Sequence, residues 1–323
     1  MRVLVVGGAG YIGSVVAARL LQEGHEVGVL DDLSTGHRDA VPEGAAFHPG
    51  STQDGDALRA ALRGREAVLH FAARSVVPES NRVPELYWSN NLCGTLALLS
   101  AMRELGVRRL VFSSTAAVYG EPQRLPIDEE HPTSPTSPYG NTKLAADLLI
   151  RDEAQAHQLA AVSLRYFNVA GAVLGLGERH HPESHLIPLL LEAALGKREG
   201  LTVYGTDYPT PDGTCVRDYI HVDDLAAAHL LSLEATGSGA GGHRVYNLGN
   251  GRGFTVLEVV EAARRVSGVP IDVRLGPRRP GDPAALVASS ERARRELGWV
   301  PQRPTLEEMI SDALEFRRFL QAG

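Results

Sequence analysis

The feature that most constrains the fold is a glycine-rich turn set between an apolar run and an amphipathic segment. Val3–Val6 leads directly into the run GGAGYIG at residues 7–13, which has GxxGxxG spacing. Glycine permits a sharp turn and lets the backbone approach a phosphate closely. A helix that begins near Tyr11 would point its first N–H groups at that phosphate. Because the run follows a strand and opens a helix, it predicts a dinucleotide-binding βαβ unit.

The first half of the chain alternates short β-rich runs with helical patterns. The predicted strands are Val3–Val6, Glu26–Leu30, Ala67–His70, Arg109–Ser113 and Ala161–Tyr166. The predicted helices are Ile12–Gln22, Asp56–Leu62, Thr95–Leu105 and Lys143–Leu159. Unbroken apolar strands are typical of parallel sheets that helices cover on both faces. The pattern predicts an α/β protein with a doubly wound, Rossmann-like parallel sheet.

The rhythm changes after about residue 168. Segments 172–185 and 204–217 have loop compositions, and capping-box patterns start helices at Thr255 and Thr305. Arg244–Leu248 reads as one more strand that rejoins the sheet. We therefore expect a dinucleotide-binding domain over 1–170, with a returning segment near 218–250. Residues 171–323 are expected to form mainly a smaller α+β lobe that binds substrate.

Composition excludes several classes of function. The 323 residues carry a net charge of −7, which argues against a nucleic-acid surface. The basic run Arg292, Arg294 and Arg295 alternates as on a solvated helix face. Two cysteines lie far apart in sequence, and no stretch approaches the ~20 apolar residues of a membrane span. These features favour a cytoplasmic protein with free thiols and no membrane partner.

Asp31 indicates which dinucleotide is bound. It ends the second predicted strand, 18 residues beyond Gly13. A carboxylate there accepts hydrogen bonds from an adenosine ribose and repels a 2′-phosphate. The sequence therefore favours NAD over NADP.

A tyrosine and a lysine supply candidate chemistry. In the run SPYGNTK at residues 137–143, Ser137 is a good N-cap, so Tyr139 and Lys143 fall at i and i+4 on one helix face. A nearby ammonium would lower the pKa of the phenol and favour a base at neutral pH. Thr115 follows a buried strand, at the sheet edge where ligands bind, and offers a hydroxyl to the reacting oxygen.

Taken together, these motifs resemble the extended short-chain dehydrogenase/reductases and, more narrowly, the UDP-glucose 4-epimerases. The resemblance covers nearly the whole chain. It rests on the segments GGAGYIGS, LDDLSTG, HFAA, NNLCGT, FSSTAAVYG, SPYGNTK, LRYFNVAGA, YGTDYPTPDGTCVRDYIHVDDL, YNLGNG and RRPGDP (278–283).

The resemblance implies NAD as cofactor, a UDP-hexose as substrate and a homodimer formed through the helices at 95–105 and 143–159. It implies catalytic roles for Tyr139, Lys143 and Thr115. The implied cofactor-binding residues are Gly7, Gly10, Tyr11, Ile12, Gly13, Asp31, Asp32, Ser34, Thr35, Gly36, Phe71, Ala72, Ala73, Asn91, Ser113, Tyr139, Lys143 and Tyr166. The implied substrate-binding residues are Thr115, Tyr139, Asn168, His185, Leu186, Thr202, Tyr204, Arg217, Arg279 and Asp282.

The chain departs from the family pattern at a few positions. Ser51 replaces an aspartate that often reaches the adenine, and Ser75 or Arg74 stands near a missing lysine. His185 aligns with an asparagine that faces the sugar nucleotide. Leu286 occupies a position that limits the C2 substituent of the sugar, so N-acetylated hexoses stay open.

The implied reaction is reversible C4 epimerisation through a 4-keto intermediate, and the chain can be compared with the requirements of three other functions. A dehydratase needs an acid and a base directly after Thr115, where this chain has Ala116 and Ala117. A nucleotide-sugar 4-reductase stays open. A binding protein without catalysis is expected to have lost Tyr139 or Lys143.

Three histidines close together in sequence are a candidate metal site. His180, His181 and His185 lie together in a loop, but the sequence shows no clear fourth ligand. We therefore predict a polar loop and no metal.

Overall fold

A computed structural model describes residues 1–238, 241–279 and 282–322. The strands are β1 (Arg2–Val6), β2 (Glu26–Asp31), β3 (Ala46–Pro49), β4 (Ala67–His70), β5 (Arg109–Thr115), β6 (Ala160–Tyr166), β7 (Asn168–Ala170), β8 (Ala172–Val173), β9 (Leu176–Gly177), β10 (Leu201–Tyr204), β11 (Val216–His221), β12 (Gly242–Leu248), β13 (Gly253–Thr255), β14 (Val273–Gly276) and β15 (Ala285–Leu286). The α-helices are α1 (Tyr11–Gln22), α2 (Gly55–Leu62), α3 (Val77–Ser80), α4 (Pro84–Tyr87), α5 (Gly94–Glu104), α6 (Pro138–His157), α7 (Leu186–Ala194), α8 (Val222–Ala235), α9 (Val256–Ser267), α10 (Glu291–Leu297) and α11 (Leu306–Ala322).

The central sheet confirms the predicted fold class. Within the described ranges it has seven strands in the order β12-β6-β5-β4-β1-β2-β3, and all neighbouring pairs are parallel. The strand order reverses between β1 and β4. In open α/β sheets, ligands bind at such a switch point, outside the carboxyl ends of the strands.

The apolar run of β1 is buried on both faces of the sheet. Val3 and Val5 pack into a core cluster with α1 and α8, whereas Leu4 and Val6 pack with α2, α5 and α6. All four side chains are at most 1% exposed. Alternate residues of a strand point to opposite faces, so helices on both sides account for the unbroken apolar pattern.

Some element boundaries differ from those predicted. α6 begins at Pro138 rather than Lys143, because the Ser137 side chain caps it by accepting the N–H of Gly140 at 3.1 Å. β3 was not predicted. It is an edge strand of sequence AFHP, whose side chains are half-buried or exposed, so it lacks an apolar run.

The predicted return to the sheet is confirmed, since β12 pairs in parallel with β6 from Gly242↔Ala160 to Leu248↔Tyr166. Around it, β11 pairs with β7, β13 and β15, and β10 pairs with β14. A separate apolar core of α7, α9 and α11 supports these strands. Thr255 forms the predicted capping box with Glu258, and at Thr305 the corresponding N–H to Oγ1 distance is 3.4 Å.

No helix in the described part of the chain combines the length and the apolar character needed to cross a bilayer.

Candidate active site

The glycine turn joins β1 to α1 at the switch point of the sheet. Gly7 has a φ of 82°, and a Cβ there would lie 2.5 Å from the main-chain nitrogen of Ala72. A Cβ on Gly13 would collide with the Gly7 carbonyl oxygen. Gly10 differs, because its φ is −81° and the nearest atom to an added Cβ is 3.4 Å away. The fold therefore requires Gly7 and Gly13, but it leaves room for a side chain at Gly10.

The N-terminus of α1 faces the space above that turn. Gly10 is its N-cap and Tyr11 and Ile12 are its first two residues, so their N–H groups lie among those without a partner inside the helix. Helix N-termini with this geometry attract phosphates. The Tyr11 hydroxyl donates to the main-chain oxygen of Gly171 at 2.6 Å and so links α1 to the segment after β7.

Asp31 ends β2 beside the glycine turn. Its Oδ2 accepts the N–H of Ala9 at 2.9 Å and its Oδ1 accepts the N–H of Leu33 at 2.8 Å. Burial raises the pKa of Asp31, and the two N–H donors oppose that shift. The carboxylate keeps lone pairs for a ribose, and it also fixes the turn itself. The predicted cofactor loop follows directly, with Asp32, Ser34 and Thr35 exposed and Gly36 half-buried.

Residues Phe71, Ala72 and Ala73 leave β4 on the other side of the switch point. The N–H groups of Phe71 and Ala72 both bond to the carbonyl oxygen of Val6, at 2.7 and 3.0 Å. This places the segment against the glycine turn, as a shared cofactor cleft requires.

Asn91 lies in a π-helical turn, Trp88–Cys93, between α4 and α5. Its side-chain oxygen accepts the N–H of Arg74 at 2.8 Å, and its amide donates to Arg74 O at 3.0 Å and to Thr142 Oγ1 at 3.1 Å. Asn91 therefore holds the segment after β4 against α6. Its contact with the nicotinamide stays a prediction.

Tyr139 and Thr115 meet where β5 ends and α6 begins. The Thr115 hydroxyl lies beside the Tyr139 phenol and acts to lower its pKa, and Thr115 Oγ1 accepts the N–H of Ala117 at 3.1 Å. The two hydroxyls thus form one polar group at the carboxyl edge of the sheet. The structure brings together the proton-transfer residues that the sequence predicted.

Lys143 lies one turn further along α6 and is 2% exposed. Its Nζ donates to the carbonyl oxygen of Ser113 at 2.7 Å and lies 4.7 Å from the centre of the Phe112 ring. Burial lowers the pKa of Lys143 to about 8, and the nearby Asp147 carboxylate opposes that shift.

The expected lowering of the phenol pKa is wrong. Burial raises the pKa of Tyr139, and the hydrogen bond from Thr115 is what opposes the rise. The physical reason is that the Lys143 ammonium is directed at a main-chain oxygen on β5. Desolvation of the phenolate therefore outweighs the attraction of that charge.

Ser113 and Tyr166 form a second pair of hydroxyls close to Tyr139. They occur on neighbouring strands, β5 and β6, and Ser113 Oγ contacts the Tyr166 hydroxyl in a very short hydrogen bond. Burial raises the pKa of Tyr166, and Tyr139 raises it further. Both predicted residues therefore line the same edge of the sheet as Thr115 and Tyr139.

Part of the predicted substrate group gathers around β11. The Arg217 guanidinium donates to Val216 O and Pro283 O, both at 2.9 Å, and lies 3.8 Å from the Asp282 carboxylate. Leu286 pairs with Arg217 across β15 and β11. Asn168 starts β7, where it pairs with Tyr219 of β11 and opposes the rise in the Tyr219 pKa that burial causes.

A second part of the group gathers at β10. Thr202 and Tyr204 belong to this strand, and the Arg279 guanidinium stacks 4.1 Å from the centre of the Tyr204 ring. Leu186 is separate, since it begins α7. Pro280 and Gly281 of the RRPGDP segment lie outside the described residues.

Comparisons with known proteins agree with this geometry. The family model described as "NAD dependent epimerase/dehydratase family" matches residues 3–249. The chain belongs to this family. A curated relative, the UDP-glucose 4-epimerase of Streptomyces lividans, is 59% identical over 316 residues, which cover 97% of this chain and 95% of that protein.

Two solved structures of this epimerase class superpose over almost the whole chain. The UDP-glucose 4-epimerase from Brucella ovis in complex with NAD is 45% identical, with a TM-score of 0.93 and 98% of each chain covered. The UDP-glucose 4-epimerase from Bifidobacterium longum in complex with NAD⁺ and UDP is 38% identical, with a TM-score of 0.94 and 100% of each chain covered. The predicted resemblance is confirmed.

In this epimerase-family chain, several buried polar residues near the site were missed by the sequence analysis. Asp147 Oδ2 accepts from Ser114 Oγ and from Arg165 Nε, both at 3.0 Å. Asp147 lies four residues after Lys143, as Lys143 does after Tyr139, so the i, i+4 spacing was the available signal. His70 and Thr142, by contrast, carried no sequence signal.

His70 and Thr142 extend a hydrogen-bond chain behind the family's tyrosine–lysine pair. His70 Nε2 is 3.1 Å from Thr95 Oγ1, which donates to Asn91 O at 2.6 Å. Thr142 Oγ1, which accepts from the Asn91 amide, donates to Tyr139 O at 2.8 Å. Burial, together with Lys143, lowers the pKa of His70 to about 3, which keeps the imidazole neutral.

His185 lies elsewhere than its predicted role suggested. Its Nδ1 contacts the Glu178 carboxylate at 2.7 Å and the Glu183 carboxylate at 3.1 Å. These contacts place it in a cluster of imidazoles and carboxylates after β9. Its contact with a sugar nucleotide stays a prediction.

Proposed function

We propose that this chain interconverts UDP-glucose and UDP-galactose by NAD-dependent epimerisation at C4. The observation that carries the proposal is the Tyr139–Thr115 hydroxyl pair at the carboxyl edge of β5, one strand away from the cleft between β1 and β4. Family membership and full-length similarity to UDP-glucose 4-epimerases support the same activity.

The residues at the switch point suit NAD. A phosphate fits above Gly10, where an added Cβ would meet no protein atom closer than 3.4 Å, and the free N–H groups of α1 suit its charge. The Asp31 carboxylate suits a ribose without a 2′-phosphate. NAD⁺, when bound, would accept the hydride from C4 and return that hydride in the second half of the reaction.

Tyr139 and Thr115 would handle the proton of the 4-hydroxyl. The phenolate of Tyr139 accepts that proton as the C4–H bond breaks, and the Thr115 hydroxyl stabilises the resulting 4-keto oxygen by a hydrogen bond. After the 4-keto sugar has turned, Tyr139 would return the proton to the C4 oxygen while C4 regains its hydride on the opposite face. Neither step requires a second acid or base, which agrees with Ala116 and Ala117 after Thr115.

Lys143 would act on Tyr139 through charge. Its Nζ is held by Ser113 O, and Asp147 favours the charged form. The ammonium would favour the phenolate of Tyr139 and so offset part of the rise in the phenol pKa that burial causes. Lys143 and Asp147 are therefore positioning and charge-tuning residues, whereas Tyr139 carries the proton.

Two arginines would hold the diphosphate of UDP, and several uncharged or acidic side chains would contact the rest of the nucleotide sugar. Arg217 and Arg279 suit a diphosphate, and the Asp282 carboxylate suits a ribose. The remaining proposed UDP and sugar contacts are Asn168, Leu186, Thr202, Tyr204 and the Nε2 atom of His185, whose Nδ1 atom faces Glu178 and Glu183 instead. Firm contacts to the nucleotide and few to the hexose would let the 4-keto sugar turn its other face to the cofactor.

The decisive experiment is incubation with UDP-galactose without added cofactor, followed by separation of the C4 epimers. We expect conversion to UDP-glucose with many turnovers per bound NAD. A 4-reductase, the alternative within this family, would run in reverse for at most one turnover, oxidising UDP-galactose to the 4-keto sugar and releasing reduced cofactor. If protein that contains NAD forms neither UDP-glucose nor the 4-keto sugar, the proposal is contradicted.

Leu286 makes UDP-N-acetylhexosamines a second candidate substrate. It lies in β15, pairs with Arg217 and packs against the cluster that contains Ala116 and Tyr119. Its side chain is smaller than the tyrosine that occupies this place in some family members, so an N-acetyl group would have more room. Incubation with UDP-N-acetylglucosamine tests this, and Leu286→Tyr should suppress any such conversion while sparing UDP-galactose.

We further propose that residues 1–170, with the returning segment near 218–250, form the dinucleotide-binding domain. Residues 171–323 would mainly bind the substrate.

We also propose a homodimer through α5 and α6. It is supported by Leu96 and Leu148, whose side chains are 46% and 43% exposed on these helices. Light scattering should give the mass of a dimer, and Leu148→Asp should shift it towards the monomer.

We also propose a cytoplasmic location. Cys93 and Cys215 are both free thiols, as a reducing compartment favours.

A further inference from the structure

A compact cluster of imidazoles and carboxylates lies after β9, outside the site described above. Its members are Glu178, His180, Glu183 and His185. Each offers one nitrogen or oxygen, and these four atoms all lie within 4.8 Å of one another. We propose that the cluster, here called the Glu/His cluster, binds a divalent transition-metal ion, with Zn²⁺ as the best match, and that the ion has a structural role.

The contacts converge on one point. Glu178 Oε1 is 2.8 Å from His180 Nδ1 and 2.7 Å from His185 Nδ1. His185 Nδ1 is also 3.1 Å from Glu183 Oε1. An imidazole Nδ1 carries at most one proton, so His185 can satisfy only one of the two carboxylates that it faces. An ion at the centre would instead be bound by a lone pair from all four groups.

The carboxylates are arranged as metal ligands usually are. The Glu178 and Glu183 side chains are 10% and 4% exposed, whereas carboxylates are normally solvated. Glu183 is fixed from outside the cluster by Arg317 of α11, which contacts its Oε2 at 3.2 Å, and by the N–H groups of Ser184 and His185. Hydrogen bonds and ion pairs to the outer side of a ligand orient it towards the metal and set its geometry.

The donor set identifies the class of ion. Two imidazole nitrogens and two carboxylate oxygens suit Zn²⁺, whose tetrahedral sites use these ligands, better than Ca²⁺ or Mg²⁺, which prefer oxygen alone. Two carboxylates and two neutral imidazoles also balance the charge of a divalent ion. Four protein ligands fill a tetrahedral shell and leave no open position for substrate, which indicates a structural site.

The position of the cluster explains what the ion would stabilise. The segment that carries it also contacts the cofactor turn, because Tyr11 donates to Gly171 O at 2.6 Å and His37 Nε2 lies 3.1 Å from Arg179 O. Arg179 forms a two-point ion pair with Asp39, at 2.8 Å for each bond. An ion that ties residues 178–185 together would therefore hold one wall of the cofactor cleft in place.

The test measures metal content and thermal stability of the full-length protein. Protein treated with a chelator and then dialysed against Zn²⁺ should retain about one ion per chain by mass spectrometry, and its Tm should rise on reloading. His180→Gln and Glu178→Gln should lose both the ion and the rise in Tm. His181→Gln is the matched control, because it changes an exposed histidine of the same loop that is not part of the cluster.

These readouts do not depend on epimerase activity, so they separate this inference from the proposed function. The inference is overturned if well-folded wild-type protein retains no zinc after dialysis. It is also overturned if His180→Gln retains as much zinc as His181→Gln, since binding would then lie elsewhere.

Discussion

Lys143 Nζ donates to the carbonyl oxygen of Ser113 at 2.7 Å, so the ammonium of the tyrosine–lysine pair is anchored to β5. This contact fixes the charge one turn of α6 beyond Tyr139, whose phenol pKa is in turn influenced by the Thr115 hydroxyl. The lysine therefore acts on the phenol from a fixed place, and its own protonation becomes a testable property of the site.

Removing the phenol hydroxyl of Tyr139 should abolish most of the activity. General acid–base catalysis contributes about 10²–10⁴-fold, so Tyr139→Phe should lower kcat by about that factor without unfolding the protein. Tyr87→Phe is the matched control, because the Tyr87 ring packs edge-on against Tyr139 but its hydroxyl bonds to Val76 O and Glu79. Equal losses in the two variants, measured with UDP-galactose, would rule out the assigned role.

Asp147→Asn should move the alkaline limb of the pH profile to lower pH. Burial lowers the pKa of Lys143 to about 8 and Asp147 raises it, so loss of the carboxylate should lower that pKa further. The ammonium is then lost at lower pH, and kcat/KM should decline earlier as pH rises. Ser114→Ala removes a hydrogen bond to Asp147 without changing its charge, and its limb should stay where the wild-type limb is.

Gly10→Ala should weaken NAD binding and spare the fold. The φ of −81° suits alanine, and an added Cβ meets no protein atom closer than 3.4 Å. A methyl group there would instead occupy the space above the helix N-terminus where we place a phosphate. Calorimetry on apoprotein should show a raised Kd for NAD at unchanged Tm. Unaltered NAD affinity would place the phosphate elsewhere.

Arg217→Gln should act on substrate binding more than on chemistry. A hydrogen bond to a charged group contributes about 1.5–3 kcal/mol, so KM for the UDP-sugar and Kd for UDP should rise by about 10- to 100-fold while kcat changes less. Arg318→Gln, at an exposed arginine of α11, provides the comparison with the same loss of charge. A drop in kcat alone would assign Arg217 to another step.

Acid should destabilise the fold partly through His229. This fully buried imidazole packs 4.8 Å from the Phe71 ring, and burial lowers its pKa to about 4. The unfolded chain binds the proton below about pH 6.5, so the free energy of unfolding should fall as pH drops from there towards 4. Between pH 7 and pH 5 the His229 imidazole should lower the free energy of unfolding by about 2 kcal/mol.

His229→Leu should therefore give a shallower decline in the free energy of unfolding over the same range. Urea unfolding at pH 7 and pH 5 measures it for both proteins. Parallel declines would show that other groups account for the acid sensitivity.

The sequence predicted the sheet, the cofactor turn and the tyrosine helix because each has a local signal. Buried parallel strands are apolar throughout, the glycine turn has fixed spacing, and Ser137 caps α6. The edge strand β3 has no such pattern and was missed. The contacts of Asn91 and His185 also escaped prediction, because they depend on residues brought together only by the fold.

The expected lowering of the phenol pKa failed for a related reason. Spacing places Lys143 on the same helix face as Tyr139, but it does not say where the ammonium points or how far water is excluded. Those depend on β5, whose Ser113 carbonyl lies within reach. The prediction of a polar loop without a metal considered only the histidines along the chain, whereas the zinc proposal adds the carboxylates Glu178 and Glu183, which the fold brings beside them.

The π-helical turn at Trp88–Cys93 interrupts the regular α-helical winding, and this irregularity sets the position of Asn91 around the helix axis. α4, this turn and α5 run on without a break from Pro84 to Glu104. Deleting one residue inside the turn would restore ordinary helical winding, yet it would swing the preceding residues around the axis by about 100° relative to α5. Asn91 would then lose its hydrogen bonds to either Arg74 or Thr142. The shortened helix would be more regular, but it would no longer hold the segment after β4 against α6.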